Sequence, residues 1–351
     1  MIRYLIADDL TGAADASVHF ASLRQVEILL SLPGAGAAIS LPTQWGGPGW
    51  GGTEAKGLTA LDTESRHLPS ERAAAVVRLA CRGLGEGVFK KVDSTLRGPV
   101  AAELEATREA LGRSTAVLAP SLPAQGRTVR GGRLLVGGID AGSVAEMVGA
   151  EAVGVPVAAL AGGSLPPLVV VDATTDADLD RIAAYCVRRP ELLPAGSAGL
   201  AAAFARLEGA VPPMTVPTCR RVLVAIASPH AAARAQLAVL AAQPHPAIEV
   251  LAVPADADGA PEELADALGR EVRDRLGAGA TVLATGGDAA LAVCRALAIT
   301  SLRPRAELLP GVVWSETGRE GISLATKAGG FGDPRLLLDA ALKLLGVDTL
   351  G

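Results

Sequence analysis

The sequence predicts an α/β protein of two domains, each a mostly parallel sheet flanked by helices, with a ligand cleft between them. Three observations lead there. Strand-length apolar runs alternate with helix-length amphipathic runs, and polar residues bunch at the strand ends. Half of the 351 residues are hydrophobic while only 3% are aromatic, so Ala, Gly, Leu and Val must build a tightly packed core. A Pro-rich break, Val211-Pro212-Pro213-Met214-Thr215-Val216-Pro217, interrupts the alternation. The expected division is an N-terminal domain at 1–210, a linker at 211–218 and a C-terminal domain at 219–351.

Ile2 to Ala7 is the first strand and Gly12 to Leu23 the first helix, joined by Asp8-Asp9-Leu10-Thr11, a turn of two acids and a hydroxyl. Val26 to Leu30 is a short strand. Ser31 to Lys56, rich in Gly and Pro, reads as a surface loop anchored by Trp45 and Trp50. The strand Leu58 to Leu61 ends in Asp62-Thr63-Glu64-Ser65-Arg66, and Pro69 to Arg82 is its helix. Val88 to Val92 and the helix Pro99 to Leu111 flank Asp93-Ser94-Thr95-Leu96-Arg97-Gly98. Ser94 or Thr95 can cap that helix, but a cap needs no carboxylate and guanidinium crowded beside it. Thr115 to Ala119 is a strand, and Pro120 to Thr128 is too rich in Pro and Gly to be regular. Leu134 to Val136 is a short hairpin strand, Val169 to Val171 leads to the helix Asp176 to Val187, and Ala195 to Gly199 turns into the helix Leu200 to Leu207.

The second half restarts with Arg221 to Ala227. Ser228 suits an N-cap and Pro229 a first helical residue, ahead of the helix Ala231 to Leu240. The strand Ile248 to Ala252, the helix Pro261 to Leu276 and the strand Thr281 to Ala284 follow. Thr285-Gly286-Gly287-Asp288 then opens the helix Ala289 to Ala298. Short β segments, Thr326-Lys327-Ala328-Gly329-Gly330-Phe331-Gly332 and a helix ending at Leu345 complete the chain.

Composition excludes several classes of function. The formal charge is −5 and no basic block occurs, which argues against nucleic-acid and anionic-membrane partners. Scarce aromatics argue against base stacking. No apolar run reaches membrane-spanning length. Cys81, Cys186, Cys219 and Cys294 form no CxxC pair, and His19, His67, His230 and His245 show no zinc spacing, so no metal ligand is assigned. The N-terminus enters a strand and meets two acids at once, unlike a signal peptide. The expected setting is the cytoplasm, with a small-molecule substrate and a homodimer as the possible assembly.

The chemistry divides between the halves. Three turns of the second half, at Ser228-Pro229-His230, Gly286-Gly287-Asp288 and Lys327 with Gly329, Gly330 and Gly332, suit a polyphosphate. Glycines let it approach the backbone, and helix N-termini add positive potential. Neither GxxxxGK[ST] nor a strand-to-helix GxGxxG is present, so the turns match neither a P-loop nor a dinucleotide fold. The first half offers Arg66, Lys91, Arg97 and Arg127 for a carboxylate. Asp8, Asp9 and Asp93 are candidate bases, and Thr11, Ser94 and Thr95 are hydroxyls that can order a polyol. Together these features describe phosphoryl transfer by positioning and charge neutralisation.

The motifs resemble the four-carbon acid sugar kinase family. Those that carry the resemblance are Ala7-Asp8-Asp9-Leu10-Thr11-Gly12-Ala13, Thr63-Glu64-Ser65-Arg66, Lys90 to Gly98, Pro123-Ala124-Gln125-Gly126-Arg127-Thr128, Ala195 to Gly199, Gly286-Gly287-Asp288 and Thr326 to Gly332. The resemblance implies an ATP-dependent kinase of threonate, erythronate or an oxo-tetronate, with a sugar-acid domain followed by an ATP domain. Asp8, Arg66 and the Lys91 to Ser94 turn would then meet the sugar acid, and Asp9, Thr11, Thr95, Arg97, Gln125 and Arg127 complete the expected substrate set. Ser228, Gly286, Gly287, Asp288, Lys327, Gly329, Gly330 and Gly332 form the expected ATP set. Asp93 is the first choice of base and Asp8 the second, while Asp9 can hold Mg²⁺ through water.

Two departures stand out. Ile139 to Gly163 lacks the Asp-Pro-Leu turn usual in the family, and Ala289 stands where a Thr is usual after Gly-Gly-Asp. A catalytically degenerate sugar-acid or nucleotide binder of the same fold is therefore the alternative. A phospho-accepting receiver domain would leave the second-half glycine turns unexplained. A dehalogenase-type phosphatase would need an acid at Ala7 or Leu10.

Overall fold

The computed structural model describes residues 1–30, 57–148, 153–161, 165–210, 216–277 and 279–347. The chain forms two compact units, Met1–Val26 with Pro33–Pro212, and Glu27–Leu32 with Pro213–Gly351. Strand β1 (Tyr4–Ala7) and helix α1 (Leu10–Ser17) open the first unit. Strand β2 (Val26–Leu29) follows, and from Glu27 its residues go with the second unit.

The first unit continues with β3 (Leu58–Asp62), α2 (Ser70–Ala80), β4 (Val88–Lys91), α3 (Val100–Ala110) and β5 (Thr115–Ala119). A small antiparallel sheet of β6 (Arg127–Arg130), β7 (Arg133–Val136) and β8 (Ile139–Ser143) interrupts the alternation. Then come α4 (Val144–Val148), β9 (Val153–Val155), β10 (Leu168–Val171), α5 (Asp176–Cys186), β11 (Leu192–Gly196) and α6 (Ala198–Leu207). The main sheet runs β3-β1-β4-β11-β5-β10-β9, and these pairings are parallel. The residues of β1, β4 and β10 are all buried, as expected of parallel strands covered on both faces. Helix α2 packs on α3, while α6 packs on both α1 and α5. Val92, Leu104, Leu118, Val170 and Leu193 belong to one core cluster, and Phe89 meets Phe204 edge to face at 6.0 Å.

The second unit comprises β12 (Arg221–Ile226), α7 (Ala231–Ala242), β13 (Ile248–Ala252), α8 (Pro261–Arg275), β14 (Ala280–Thr285), α9 (Gly287–Ala296), β15 (Ser301–Leu309), β16 (Val312–Glu316), β17 (Ile322–Lys327) and α10 (Leu336–Leu344). Strands β13-β12-β14-β17 are parallel. The antiparallel run β17-β16-β15 extends this sheet, and Ser301 and Leu302 of β15 pair with Leu29 and Ile28 of β2. Residues of β15 alternate between buried and half-buried, the signature of an antiparallel strand with one wet face. Its α8 begins with Pro261, Glu262 and Glu263 and ends with Arg273 and Arg275, complementing the helix dipole at both ends.

Several expected boundaries shift. Helix α1 ends at Ser17, and Val18–Phe20 is a 3₁₀ turn. Neither Ser94 nor Thr95 caps α3, which starts at Val100 after Pro99 without a side-chain cap. The reason is local: Leu96 at φ 61° and Gly98 at φ 89° hold the turn in a left-handed course that no helix can continue. Helix α7 is capped by His230, not Ser228. Pro120 to Thr128 is more regular than expected, holding the 3₁₀ turn Pro123–Gln125 and the start of β6. The loop with Trp45 and Trp50, most of the Pro-rich linker and parts of 139–163 lie outside the described residues.

Candidate active site

In the first unit, neighbouring parallel strands β3, β1 and β4 end side by side, and each delivers an aspartate or an aspartate-bearing turn there. This is the edge at which open α/β sheets bind ligands. Arg66, from the turn after β3, ties the edge together. Its Nε donates to Asp8 Oδ2 at 2.7 Å, and its two terminal nitrogens donate to Asp9 Oδ2 and Oδ1 at 2.7 and 2.8 Å. Asp9 also caps α1, accepting from Gly12 N at 2.8 Å and from Thr11 Oγ1 at 2.6 Å. Both Asp9 oxygens are thereby taken.

Asp93 is equally committed. Its Oδ2 accepts from Thr95 Oγ1 at 2.5 Å, Thr95 N at 3.1 Å, Arg97 N at 3.3 Å and Arg97 Nε at 3.0 Å, and Oδ1 accepts from Arg97 Nη2 at 2.7 Å. Burial opposes its charge, but the hydrogen bonds of Arg97 and the charges of Arg66 and Arg97 win and hold the carboxyl far below the usual range. Asp8 differs. Burial raises its pKa and the Arg66, Lys90 and Lys91 charges lower it further than that, so it is anionic, yet its buried Oδ1 has no hydrogen-bond partner among the described residues.

Lysines complete the floor. Lys90, fully buried, pairs with Glu103 at 2.7 Å, and Glu103 accepts from Ser65 Oγ at 2.6 Å. Ser65 meets Thr63 Oγ1 at 2.7 Å, and Thr63 donates to Ala7 O at 2.8 Å, so this chain of bonds fixes the loop that carries Arg66. Lys91 donates to Val92 O at 2.9 Å and has no carboxylate within ion-pair distance among the described residues. Arg127 reaches the same edge from β6, donating to Ser94 Oγ at 2.9 Å and to Gln125 Oε1 at 2.5 Å. Two non-glycine residues with positive φ, Glu64 (47°) and Leu96 (61°), lie in the loops after β3 and β4. Strain of this kind collects at functional sites.

In the second unit the two glycine turns, at Gly286 and at Gly329–Gly330, converge on the Ser228-Pro229-His230 turn. A Cβ on Gly329 would lie 2.3 Å from Ser228 Oγ, and one on Gly286 would lie 3.5 Å from Ser228 Cβ. A Cβ on Gly330 would touch the His230 ring at 3.2 Å. Gly286 has φ 99° and caps α9; Gly287 and the exposed Asp288 form that helix's first turn. Lys327 ends β17 fully buried, and its ammonium donates to Phe331 O at 2.6 Å, bracing the glycine turn from behind. Desolvation brings its pKa down to about 7. Gly332 serves packing: at φ 95°, any Cβ would lie 2.1 Å from Leu336. Buried hydroxyls of Thr285 and Thr326, at the ends of β14 and β17, have no partner among the described residues.

The expected substrate residues thus meet at one edge of the first unit. The expected nucleotide residues gather in the second, with Gly332 in a supporting place. Sequence reasoning missed Glu103 and Gln236, and gave no individual role to Lys90 and His230 although both lie in turns it singled out. A signal existed for Glu103, an acid standing on the apolar stripe of α3 between Val100 and Thr107. Gln236, fully buried, donates to the Phe331 and Asp333 carbonyls at 3.0 and 2.9 Å, a contact no spacing announces. Among the described residues, no group of three His, Cys, Asp or Glu is arranged to hold a metal ion, and no helix is long and apolar enough to cross a membrane.

The sugar-binding N-terminal domain family matches residues 4–148 and 135–204, and the nucleotide-binding C-terminal domain family matches 251–337. The D-threonate kinase of Bordetella bronchiseptica is 33% identical over 96% of both chains. The chain belongs to the four-carbon acid sugar kinase family. The D-threonate kinase of Cupriavidus necator is 31% identical over 96% of each chain, and a 3-oxo-tetronate kinase of the same organism is 28% identical over 97% of this chain and 96% of its own. Membership makes the protein a four-carbon sugar-acid kinase with a nucleotide among its substrates. Two crystal structures share its fold: a Haemophilus influenzae protein (TM-score 0.67, 19% identity, covering 98% of this chain and 99% of that one) and a Salmonella typhimurium chain described as a putative tRNA synthase (0.72, 20%, 97% and 98%).

Proposed function

We propose that this kinase transfers the γ-phosphoryl group of ATP to a hydroxyl of a threonate-type acid, with Asp8 as the base. The observation that carries the reading is an open oxygen on an ionised carboxylate at the acceptor edge. Among the described residues Asp8 Oδ1 is buried and unpartnered while Arg66 pins Oδ2, whereas Asp62, whose Oδ2 is also unpartnered, has its carboxyl pushed well above the usual range by burial. Asp93, the first choice on sequence grounds, has both oxygens bonded by Arg97 and positions that side chain instead. The D-threonate kinases at 33% and 31% identity over 96% of the chain favour threonate as the first acid to test.

The acceptor hydroxyl hydrogen-bonds Asp8 Oδ1, its oxygen bonds to the γ-phosphorus, and the bridging bond to ADP breaks. The hydroxyl proton passes to Asp8 and leaves to solvent after release. In a loose transition state the proton moves late, so a carboxylate of low basicity suffices. Lys91 and Arg127 meet the carboxylate of the acid, and the glycine turns around Ser228 meet the phosphates through backbone N–H groups. A magnesium ion held by the nucleotide's phosphates would screen their charge. Asp9 does not suit it, because Arg66 occupies both its oxygens.

The test is ADP release from ATP and Mg²⁺ in the presence of D- and L-threonate, erythronate, their oxo forms and longer aldonates. Stimulation by a tetronate is expected. ATP binding with no acid stimulating turnover would leave the degenerate-binder reading standing. Asp8→Asn is expected to lower kcat at least about a hundredfold while sugar-acid binding persists. Near-normal turnover would remove Asp8 from the role.

A further inference from the structure

We infer that His230 is a phosphate ligand of the nucleotide site, its Nε2–H donating to a phosphate oxygen. This rests on the nucleotide reading of the glycine turns given above. His230 caps α7, and its Nδ1 accepts from Ala232 N at 3.2 Å. A ring nitrogen that accepts carries no proton, so the neutral ring bears its hydrogen on Nε2. Nε2 has no partner among the described residues, and the side chain is exposed.

The direction of that donor follows from its surroundings. A Cβ on Gly330 would stand 3.2 Å from both Cδ2 and Nε2, so the distal edge of the ring lies against Gly330. His230 N donates to Ser228 Oγ at 3.3 Å, and Ser228 itself abuts Gly329 and Gly286. The ring is therefore fixed from two sides, by its own cap and by the serine that the two glycine turns abut. A phosphate seated on those turns comes within reach of Nε2–H. Capping alone does not call for an imidazole, because Ser, Asp and Asn cap at least as well with less bulk. The first turn of α7 holds no acid, so nothing there repels an anion.

His230→Asn separates the two duties. Asparagine Oδ1 sits one bond beyond Cγ, as Nδ1 does, and keeps the cap, while the distal donor is lost. Titration calorimetry with ATP, ADP and adenosine, alongside thermal melts, is the experiment. The expected result is an unchanged melting temperature, ATP and ADP bound about tenfold more weakly, adenosine unaffected, and a raised KM for ATP with kcat kept. His230→Ala is expected to show the same loss plus a lower melting temperature. Wild-type ATP affinity in His230→Asn would reduce the residue to a cap and overturn the inference, as would an equal loss for adenosine. Gly329→Val, measured in parallel, guards the premise. If it binds ATP normally, the nucleotide reading fails; if it loses ATP while His230→Asn does not, only the histidine assignment fails.

Discussion

At the ends of β1, β3 and β4, three buried aspartates meet different neighbours. Asp93 is saturated with donors, Asp8 has one open oxygen, and Asp62 has one backbone donor, Glu64 N at 3.0 Å, with Oδ2 unpartnered. Burial first, then the charge of Glu64, pushes the Asp62 carboxyl well above the usual range. A native state that keeps a proton the unfolded chain releases is most stable below the unfolded pKa of about 4 and loses that stability as pH rises toward the native value. Asp62→Asn cannot ionise. Its melting temperature is expected to match wild type near pH 4 and to exceed it increasingly at pH 6 and 8; a constant difference would contradict the assignment. Asp93→Asn weakens the pairing with Arg97, so sugar-acid KM is expected to rise about tenfold, with a smaller fall in kcat than Asp8→Asn shows. Sequence ranked Asp93 first and Asp8 second as the base and gave Asp9 to Mg²⁺, a ranking made without sight of their hydrogen bonds. What separates them is which oxygens are already occupied, and that depends on Arg66, some 58 positions from Asp8.

Among the elements, the strands of the first unit were legible because buried β1, β4 and β10 are short apolar runs ending in polar turns. Caps were less legible. Ser228-Pro229 carries every local sign of a helix cap, yet α7, which begins at Ala231 as expected, is capped by His230 closing on Ala232 N. The small β6-β7-β8 sheet was half seen, because β6 follows a Pro- and Gly-rich turn and β8 is mostly exposed, with no apolar alternation. Glycine positions give the sharpest tests at this scale. A Cβ on Gly12 would lie 2.6 Å from Asp9 Oδ1 and 2.8 Å from Lys91 Nζ. Gly12→Ala is thus expected to displace the Asp9 cap or Lys91 and to raise sugar-acid KM at least about tenfold, with ATP affinity unchanged by calorimetry. Equal loss of both ligands would mean general damage to the fold. At Gly98, φ 89° combines with a Cβ 3.1 Å from Arg66 O, so Gly98→Ala is expected to act in the same direction.

Over the whole molecule the formal charge is −5, which repels a sugar acid at long range. On the proposed reading the acceptor edge works through buried local donors such as Lys91, which is 4% exposed. Buried pairs are screened little by salt. Raising ionic strength from about 10 to 150 mM is expected to change sugar-acid KM by less than about threefold, in contrast to a surface-steered ligand; a tenfold change would place the carboxylate at the surface. The two-part division was legible from the Pro-rich break, but the return of Glu27 to Leu29 to the edge of the second sheet was not, because its partners come near the other end of the chain. Glu27 and Ser301 bond across 274 positions. This has a consequence for synthesis and assembly. The β2 segment leaves the ribosome early and has no partner in β15 until most of the chain has followed, a contact of high order that slows closure of that sheet. A fragment of residues 213–351 would carry β15 with its outer edge unpaired, open to pairing between copies. Such a fragment is expected to self-associate, and a peptide spanning Gln25 to Leu30 to suppress that association in light scattering.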